Sequence, residues 1–234
     1  MTEKHLSSQY DADLNGLNAR LLEMGGLVES QVANAMKAFS TMDAELASEV
    51  LAREKEVNDF EINIDKDCAE ILARRQPTAK DLRLVLAIAK AISNLERVGD
   101  EADHIAARIK KIVEVNAPYQ INVAEIRIAG QMALGLLRRS LDAFARMDSK
   151  AAAKIVSDDI EIDNEFRGFV RKLNSYMSED PRIISTALEI LFIAKAVERI
   201  GDHAKNISEF VIYVDKGMDV RHLPREQLIQ EANK

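Results

Sequence analysis

The chain has 234 residues and a formal net charge of −7, with 47% hydrophobic and 30% charged residues. This hydrophobic share supports a folded core and excludes a disordered chain. The acidic balance argues against a general nucleic-acid binder, which neutralises phosphates with clustered Lys and Arg.

Apolar residues recur every three or four positions, and no run shows the two-residue alternation of an exposed strand. Four prolines separate long Pro-free stretches in which a helix can continue without a break. The pattern therefore predicts an all-α protein with six helices, at about residues 5–41, 43–74, 77–116, 123–147, 149–177 and 181–214. Asp180 is the expected N-cap of the last helix, with Pro181 at its first position.

The two halves of the chain contain similar motifs in the same order. FSTMD and FARMD, and likewise EVN and EID, lie 105 residues apart, whereas ERVGD and ERIGD lie 102 residues apart. This order predicts a tandem duplication of a three-helix unit, with two antiparallel bundles related by a pseudo-twofold axis. The predicted domains are residues 1–117 and 118–216, separated near Pro118, and residues 217–234 are expected to form a weakly structured tail.

Carboxylates replace apolar residues along one face of the third and sixth helices. In the third helix, the face that begins with Val85, Ala89 and Ile92 continues through Glu96, Asp100 and Asp103. The sixth helix carries Glu198 and Asp202 in the same way. Two carboxylates four residues apart share a helix face at about 6 Å, which is unfavourable unless a positive charge lies between them. A bound cation would supply that charge.

The preceding helix of each unit offers further oxygen ligands at the same four-residue spacing. The predicted metal ligands are Glu54, Asn58, Glu96 and Asp100 in the first half, and Asp159, Asp163, Glu198 and Asp202 in the second. Oxygen ligands suit Mg²⁺, Mn²⁺ or Ca²⁺, and also iron where several ions are bridged. Zn²⁺ is a further candidate, so the identity of the metal stays open. Because Asn58 removes one negative charge, the first site is expected to bind more weakly.

Several neighbouring residues allow a simpler interpretation. Arg97 and Arg199 can form ordinary ion pairs with nearby acids, and Gly99 and Gly201 fit either close helix packing or room for a metal. His104 and His203 are metal ligands or partly exposed side chains, and the second interpretation is preferred. The Arg74–Arg75 pair is expected to be a solvated helix end rather than a phosphate site.

Two features of the sequence indicate the cellular compartment of the protein. The single cysteine, Cys68, cannot form an intramolecular disulfide and is expected to be a small buried hydrophobic residue. The polar N-terminus has no apolar signal-peptide segment, and no stretch reaches about 18 uninterrupted apolar residues. Neither export by a signal peptide nor a membrane span is therefore expected.

ERVGDEA (96–102) and ERIGDHA (198–204), together with RRQPTAKDLR (74–83), resemble the PhoU family of phosphate-signalling regulators. The resemblance extends from the first helix to about Arg221. It implies a six-helix, two-bundle fold with metal bound at the acidic motifs. It also implies a cytoplasmic negative regulator, not an enzyme, that links the ATPase subunit of the phosphate ABC transporter to a sensor histidine kinase. A homodimer, peripheral at the inner membrane through these partners, is the expected form.

Two other functions compete with this one. A di-metal carboxylate oxidoreductase of the ferritin-like type needs two Glu-x-x-His motifs, but only Glu101 and His104 have that spacing here. A purely structural homodimer or a phosphate buffer is the third option. The sequence has no Gly-rich phosphate cradle, nucleophile elbow or Ser/His/Asp arrangement, so no machinery for hydrolysis or phosphoryl transfer is expected.

Overall fold

The computed structural model describes residues 8–115 and 121–234, and within these ranges it contains eight α-helices and no strand. The helices are α1 Ser8–Thr41, α2 Ala44–Leu51, α3 Glu54–Arg75, α4 Ala79–Val115, α5 Ala124–Arg146, α6 Ser149–Glu179, α7 Ile184–Lys216 and α8 Arg225–Asn233. The prediction of an all-α protein is confirmed. No helix of the described ranges combines the length and apolar character needed to cross a membrane. The predicted helix start at His5 and the separation near Pro118 lie outside these ranges.

The second predicted helix is in fact two helices, α2 and α3. Asp43 caps α2, since its carboxylate accepts hydrogen bonds from the amides of Glu45 and Leu46 at 3.0 Å. A tight turn follows α2, in which the Arg53 amide donates to the Val50 carbonyl, three residues earlier, at 3.0 Å. The next helix, α3, begins at Glu54. The corresponding helix of the second half, α6, has no such break.

The last long helix also begins differently from the prediction. Asp180 does act as a cap, because its side chain accepts a hydrogen bond from the Arg182 amide at 3.0 Å. However, Pro181–Ile183 form a 3₁₀ turn, and the α-helix starts only at Ile184. The proline therefore opens a short tight turn that leads into α7.

The repeated FSTMD and FARMD sequences make the same turn. Met42 and Met147 both adopt left-handed backbone conformations, each with a φ of 51°. The amide of the following aspartate donates back across the turn in both places, from Asp43 to Ala38 at 3.0 Å and from Asp148 to Ala143 at 2.9 Å. Similar local sequence thus gives the same helix end and the same helix start.

The core is centred on α4 and α7, which pack against each other more extensively than any other pair of helices described. They run antiparallel, because Arg83 near the start of α4 donates to the Val214 carbonyl, whereas Arg108 near its end pairs with Glu189 at 2.9 Å. The buried apolar side chains form a single cluster with members from both halves of the chain. The division into domains at residues 117 and 118 stays a prediction.

The tail after Gly217 differs from the weakly structured segment that was expected. It contains α8, and Val220, Leu228 and Ala232 are buried against the rest of the protein. Ser149 on α6 also donates to the Ala232 carbonyl at 3.2 Å. The tail has too few apolar residues to show a helical period, so tertiary packing rather than local sequence determines its structure.

Candidate metal centre

The four predicted ligands of the first half line one cleft between α3 and α4. Two further polar residues line it, Gln31 from α1 and Asp103 from α4. We call this set the first acidic cluster, and its members are Gln31, Glu54, Asn58, Glu96, Asp100 and Asp103. Asp103 lies on the acidic face predicted for this helix but was not among the predicted ligands. Gln31 was missed, because nothing in the sequence shows which residue of α1 packs over the cleft.

Two side chains of the first acidic cluster are buried without a partner. Gln31 is 1% exposed and Asp103 is 8% exposed. Both polar atoms of the Gln31 amide and both oxygens of the Asp103 carboxylate lack hydrogen bonds within the described structure. Buried polar groups are nearly always paired in folded proteins, so these atoms are available for a partner. The three oxygens can accept a cation or a hydrogen bond, whereas the Gln31 amide nitrogen can only donate a hydrogen bond.

The carboxylates of this cluster repel one another. Burial raises the pKa of Asp103 to about 7, and the charges of Glu54 and Asp100 add to the effect. Burial, followed by the charge of Asp100, also raises the pKa of Glu96. Among the described residues, no ion pair reaches any carboxylate of the cluster. The site therefore favours protons or metal ions.

The predicted ligands of the second half also come together, between α6 and α7. We call Asp159, Asp163, Glu198, Asp202 and the neighbouring Lys205 the second acidic cluster. Burial raises the pKa of Asp202 to about 6, and the charges of Asp159 and Glu198 act in the same direction. The carboxylates thus lie close enough for their charges to interact.

Basic side chains already neutralise most of the second acidic cluster. Lys205 Nζ lies 3.3 Å from Asp159 Oδ2, and Arg167 lies 3.7 Å from Asp163. Glu198 is paired with Lys195. Lys205 lies only three residues after Asp202, but its ion pair with the predicted ligands was not predicted from the sequence.

The two glycines allow the helices to approach closely, but to different degrees. A Cβ atom at Gly201 would lie 2.9 Å from Ile162 Cδ1 and 3.0 Å from Asp159 Oδ1. A Cβ atom at Gly99 would meet Gln31 Oε1 and Val57 Cγ1 at 3.4 Å. Close helix packing therefore explains Gly201, whereas the space at Gly99 is less restricted.

The arginines and histidines next to the motifs face the interface between the halves. Arg199 pairs with the buried Glu101 at 3.0 Å, and His104 Nδ1 lies 3.2 Å from the same carboxylate. His203 Nδ1 lies 3.0 Å from Asn94 Oδ1, and burial, aided by the charge of Arg199, lowers its pKa to about 4. Arg199 thus does not neutralise the predicted ligands, and each histidine directs Nδ1 to a contact outside the predicted ligands, whereas His203 Nε2 is buried without a partner in the described structure.

A larger cleft lies elsewhere, between the start of α1 and the end of α3. Three arginines line it, but each is paired with an acid in the same cleft. The pairs are Arg20–Asp67, Arg74–Glu70 and Arg75–Asp13. This agrees with the interpretation of Arg74–Arg75 as a solvated helix end.

The donor set of the first acidic cluster suits a hard cation, since it consists of carboxylate and amide oxygens. Within residues 8–115 and 121–234, no three His, Cys, Asp or Glu side chains are arranged as a group that could hold a metal ion. The eight metal ligands therefore stay a prediction.

A family model described as "PhoU domain" matches the chain twice, at residues 21–109 and at residues 126–211. The chain belongs to the PhoU family. The two matches of the PhoU model fall on the two halves that the repeated motifs define, and each includes one acidic cluster.

Relatives with the same family name match along nearly their whole length. The phosphate-specific transport system accessory protein PhoU homolog of Burkholderia sp is 50% identical over 233 residues, which cover 99% of each chain. The accessory protein PhoU of Escherichia coli (strain K12) is 42% identical over 226 residues, covering 96% of this chain and 92% of that protein.

Solved PhoU structures have the same fold. The crystal structure of PhoU from Pseudomonas aeruginosa superposes with a TM-score of 0.86 at 42% identity, covering 89% of this chain and 100% of that one. The phosphate transport system regulatory protein PhoU from Streptococcus pneumoniae has a TM-score of 0.84 at 27% identity, covering 90% and 99%.

Proposed function

We propose that this protein is an accessory regulator of a phosphate-specific transport system, and that it acts by binding partner proteins rather than by catalysis. The observation that carries this proposal is the match to the PhoU family in both halves of the chain. The relatives that match over almost their full length are named as accessory or regulatory proteins of phosphate transport.

More specifically, we propose that the chain is a negative regulator of the phosphate starvation response. It would couple the ATPase subunit of the phosphate ABC transporter to a sensor histidine kinase when phosphate is plentiful. A cytoplasmic homodimer, attached to the inner membrane through its partners, fits this role. The resemblance of the ERVGDEA and ERIGDHA motifs supports these partners.

The proposal includes a tandem repeat and a metal ion held by its acidic motifs. The two family matches and the shared turn at Met42 and Met147 support the repeat. A divalent or trivalent ion would be held by the carboxylates that α3 and α4, or α6 and α7, bring together. The ion would neutralise their repulsion and link the two helices, so its role would be structural rather than catalytic. The unpartnered oxygens of Gln31 and Asp103 support this assignment.

The ferritin-like oxidoreductase is disfavoured by the contacts of its one Glu-x-x-His pair. Glu101 is 3% exposed and binds Arg199 and His104, so its carboxylate serves the packing of α4 on α7. Oxygen consumption by the iron-loaded protein would support that alternative, and an inert iron complex would count against it.

Deletion of the gene tests the regulatory role. In medium rich in phosphate, secreted phosphatase activity should rise in the deletion strain and return to the parental level after complementation. Complementation with Glu49→Gln, which removes an exposed charge that belongs to neither acidic cluster, should restore repression fully. Low phosphatase activity in the deletion strain, unchanged by complementation, would contradict the proposal.

A further inference from the structure

The two acidic clusters occupy equivalent positions in the repeat but differ in the chemical type of the side chain at three of them. Asn58 corresponds to Asp163 and Gln31 to Leu136, each 105 residues later, and Asp103 corresponds to Lys205, 102 residues later. Each cluster contains four carboxylates, but only the second contains an amine. The two sites should therefore respond differently to a cation.

In the second acidic cluster, Lys205 already provides a positive charge. Its ammonium nitrogen lies 3.3 Å from Asp159 Oδ2, and the Asp159 side chain is only 7% exposed. An ion pair in such a sheltered place is less screened by solvent than one at the surface. The leucine that corresponds to Gln31 adds no oxygen donor. A metal ion entering this cluster would have to displace the ammonium group or bind beside it against charge repulsion.

The first acidic cluster has the opposite character. Asp103 replaces the lysine, so a carboxylate stands where the second half has an amine. Both Asp103 oxygens and both polar atoms of the Gln31 amide are buried without hydrogen-bond partners in the part of the chain that the structure describes. These side chains converge on the cleft that Glu54, Glu96 and Asp100 also line. Carboxylate and amide oxygens together are typical ligands of a hard divalent cation.

From this asymmetry we infer that the first acidic cluster is the high-affinity site for a divalent cation. Lys205 acts as a tethered cation in the second acidic cluster, and metal must compete with it there. The inference rests on the proposed metal binding, and it adds Gln31 and Asp103 to the ligands of the first site. It reverses the order of affinities that was predicted from the negative charge missing at Asn58.

The metal-free, full-length chain is titrated with Mn²⁺, and binding is measured by calorimetry. Metal analysis after equilibrium dialysis gives the number of bound ions. Wild-type protein should bind one Mn²⁺ tightly and a second at least about tenfold more weakly. Glu96→Gln with Asp100→Asn should abolish the tight site, whereas Asp159→Asn with Asp202→Asn should leave it unchanged. Lys205→Met should strengthen the weak site by at least about tenfold, while Lys205→Arg keeps it weak.

The outcomes separate this inference from the metal binding on which it rests. If the wild-type chain and every variant bind no Mn²⁺, metal binding itself is wrong. If the wild-type chain binds two ions equally, or if Lys205→Met changes neither affinity, metal binding stands and the asymmetry is wrong. Glu49→Gln, with its circular dichroism and melting curve, controls for loss of charge without loss of fold.

Discussion

Asp103 should make the stability of the metal-free protein depend strongly on pH. Its carboxylate is 8% exposed, and its folded-state pKa is raised from 3.8 to about 7. A carboxyl group with a raised pKa holds its proton more tightly in the folded state than in the unfolded state. The stability of the fold is therefore greatest below the unfolded pKa and falls as the pH rises through the folded pKa.

The size of the effect follows from the shift. One pKa unit corresponds to about 1.4 kcal/mol, so ionising Asp103 in the folded state lowers the free energy of unfolding by about 4 kcal/mol above pH 7. Asp103→Asn keeps the shape of the side chain but cannot ionise. It should stabilise the metal-free chain by about that amount at pH 8, and much less at pH 4.

Urea unfolding with a chelator present at pH 4, 6 and 8 measures this difference. The gain from Asp103→Asn should grow with pH, whereas Glu49→Gln should show no such growth. Added Mn²⁺ at pH 8 should reverse the order, because the wild-type carboxylate then has a ligand. Equal pH profiles for the wild-type chain and Asp103→Asn would refute the argument that this carboxylate is buried without compensation.

Three further predictions concern packing and caps. Gly201→Ala should destabilise the fold by about 1–3 kcal/mol, because the added Cβ would lie 2.9 Å from Ile162 Cδ1 on α6. Gly99→Ala should be nearly neutral, and thermal melts of the two variants under the same conditions measure the difference. Leu228→Ala should cost about 2–5 kcal/mol and expose the tail to limited proteolysis, so an unchanged cleavage rate would show that α8 is not docked. Asp43→Ala and Asp148→Ala should each cost about 1 kcal/mol through loss of a helix cap, measured by urea unfolding, and no loss would contradict the capping role.

Much of the fold could be predicted from the sequence, because long amphipathic helices have a strong period. The predicted end of the first helix at residue 41 and the predicted start of the fifth helix at residue 149 agree with the structure. The break between α2 and α3 could not be predicted, since no Gly or Pro marks it and a tight turn at Arg53 produces it. The docking of α8 was missed for a related reason, because distant contacts hold it in place.

The acidic clusters illustrate the same division between local and tertiary information. Helical spacing alone places Glu96 beside Asp100, and Glu198 beside Asp202. It cannot show that Gln31, about 65 residues earlier in the chain, closes the first cleft, because that depends on how α1 lies against α4. Lys205 was also missed, because it lies just after the ERIGDHA motif and only the charges of the predicted ligands were compared.

The first acidic cluster is where this chain departs most clearly from the rules that the rest of its core follows. Elsewhere on α4 the buried positions are nearly all apolar, as at Val98, Ala102 and Ile105. Burying Asp103 without a hydrogen bond costs free energy that an apolar residue would not. Departures of this kind concentrate at functional sites, where a ligand supplies the missing interactions. Under the proposed metal binding, a cation would offset this cost. The pH dependence of the stability of Asp103→Asn measures the cost, and its Mn²⁺ dependence measures the compensation.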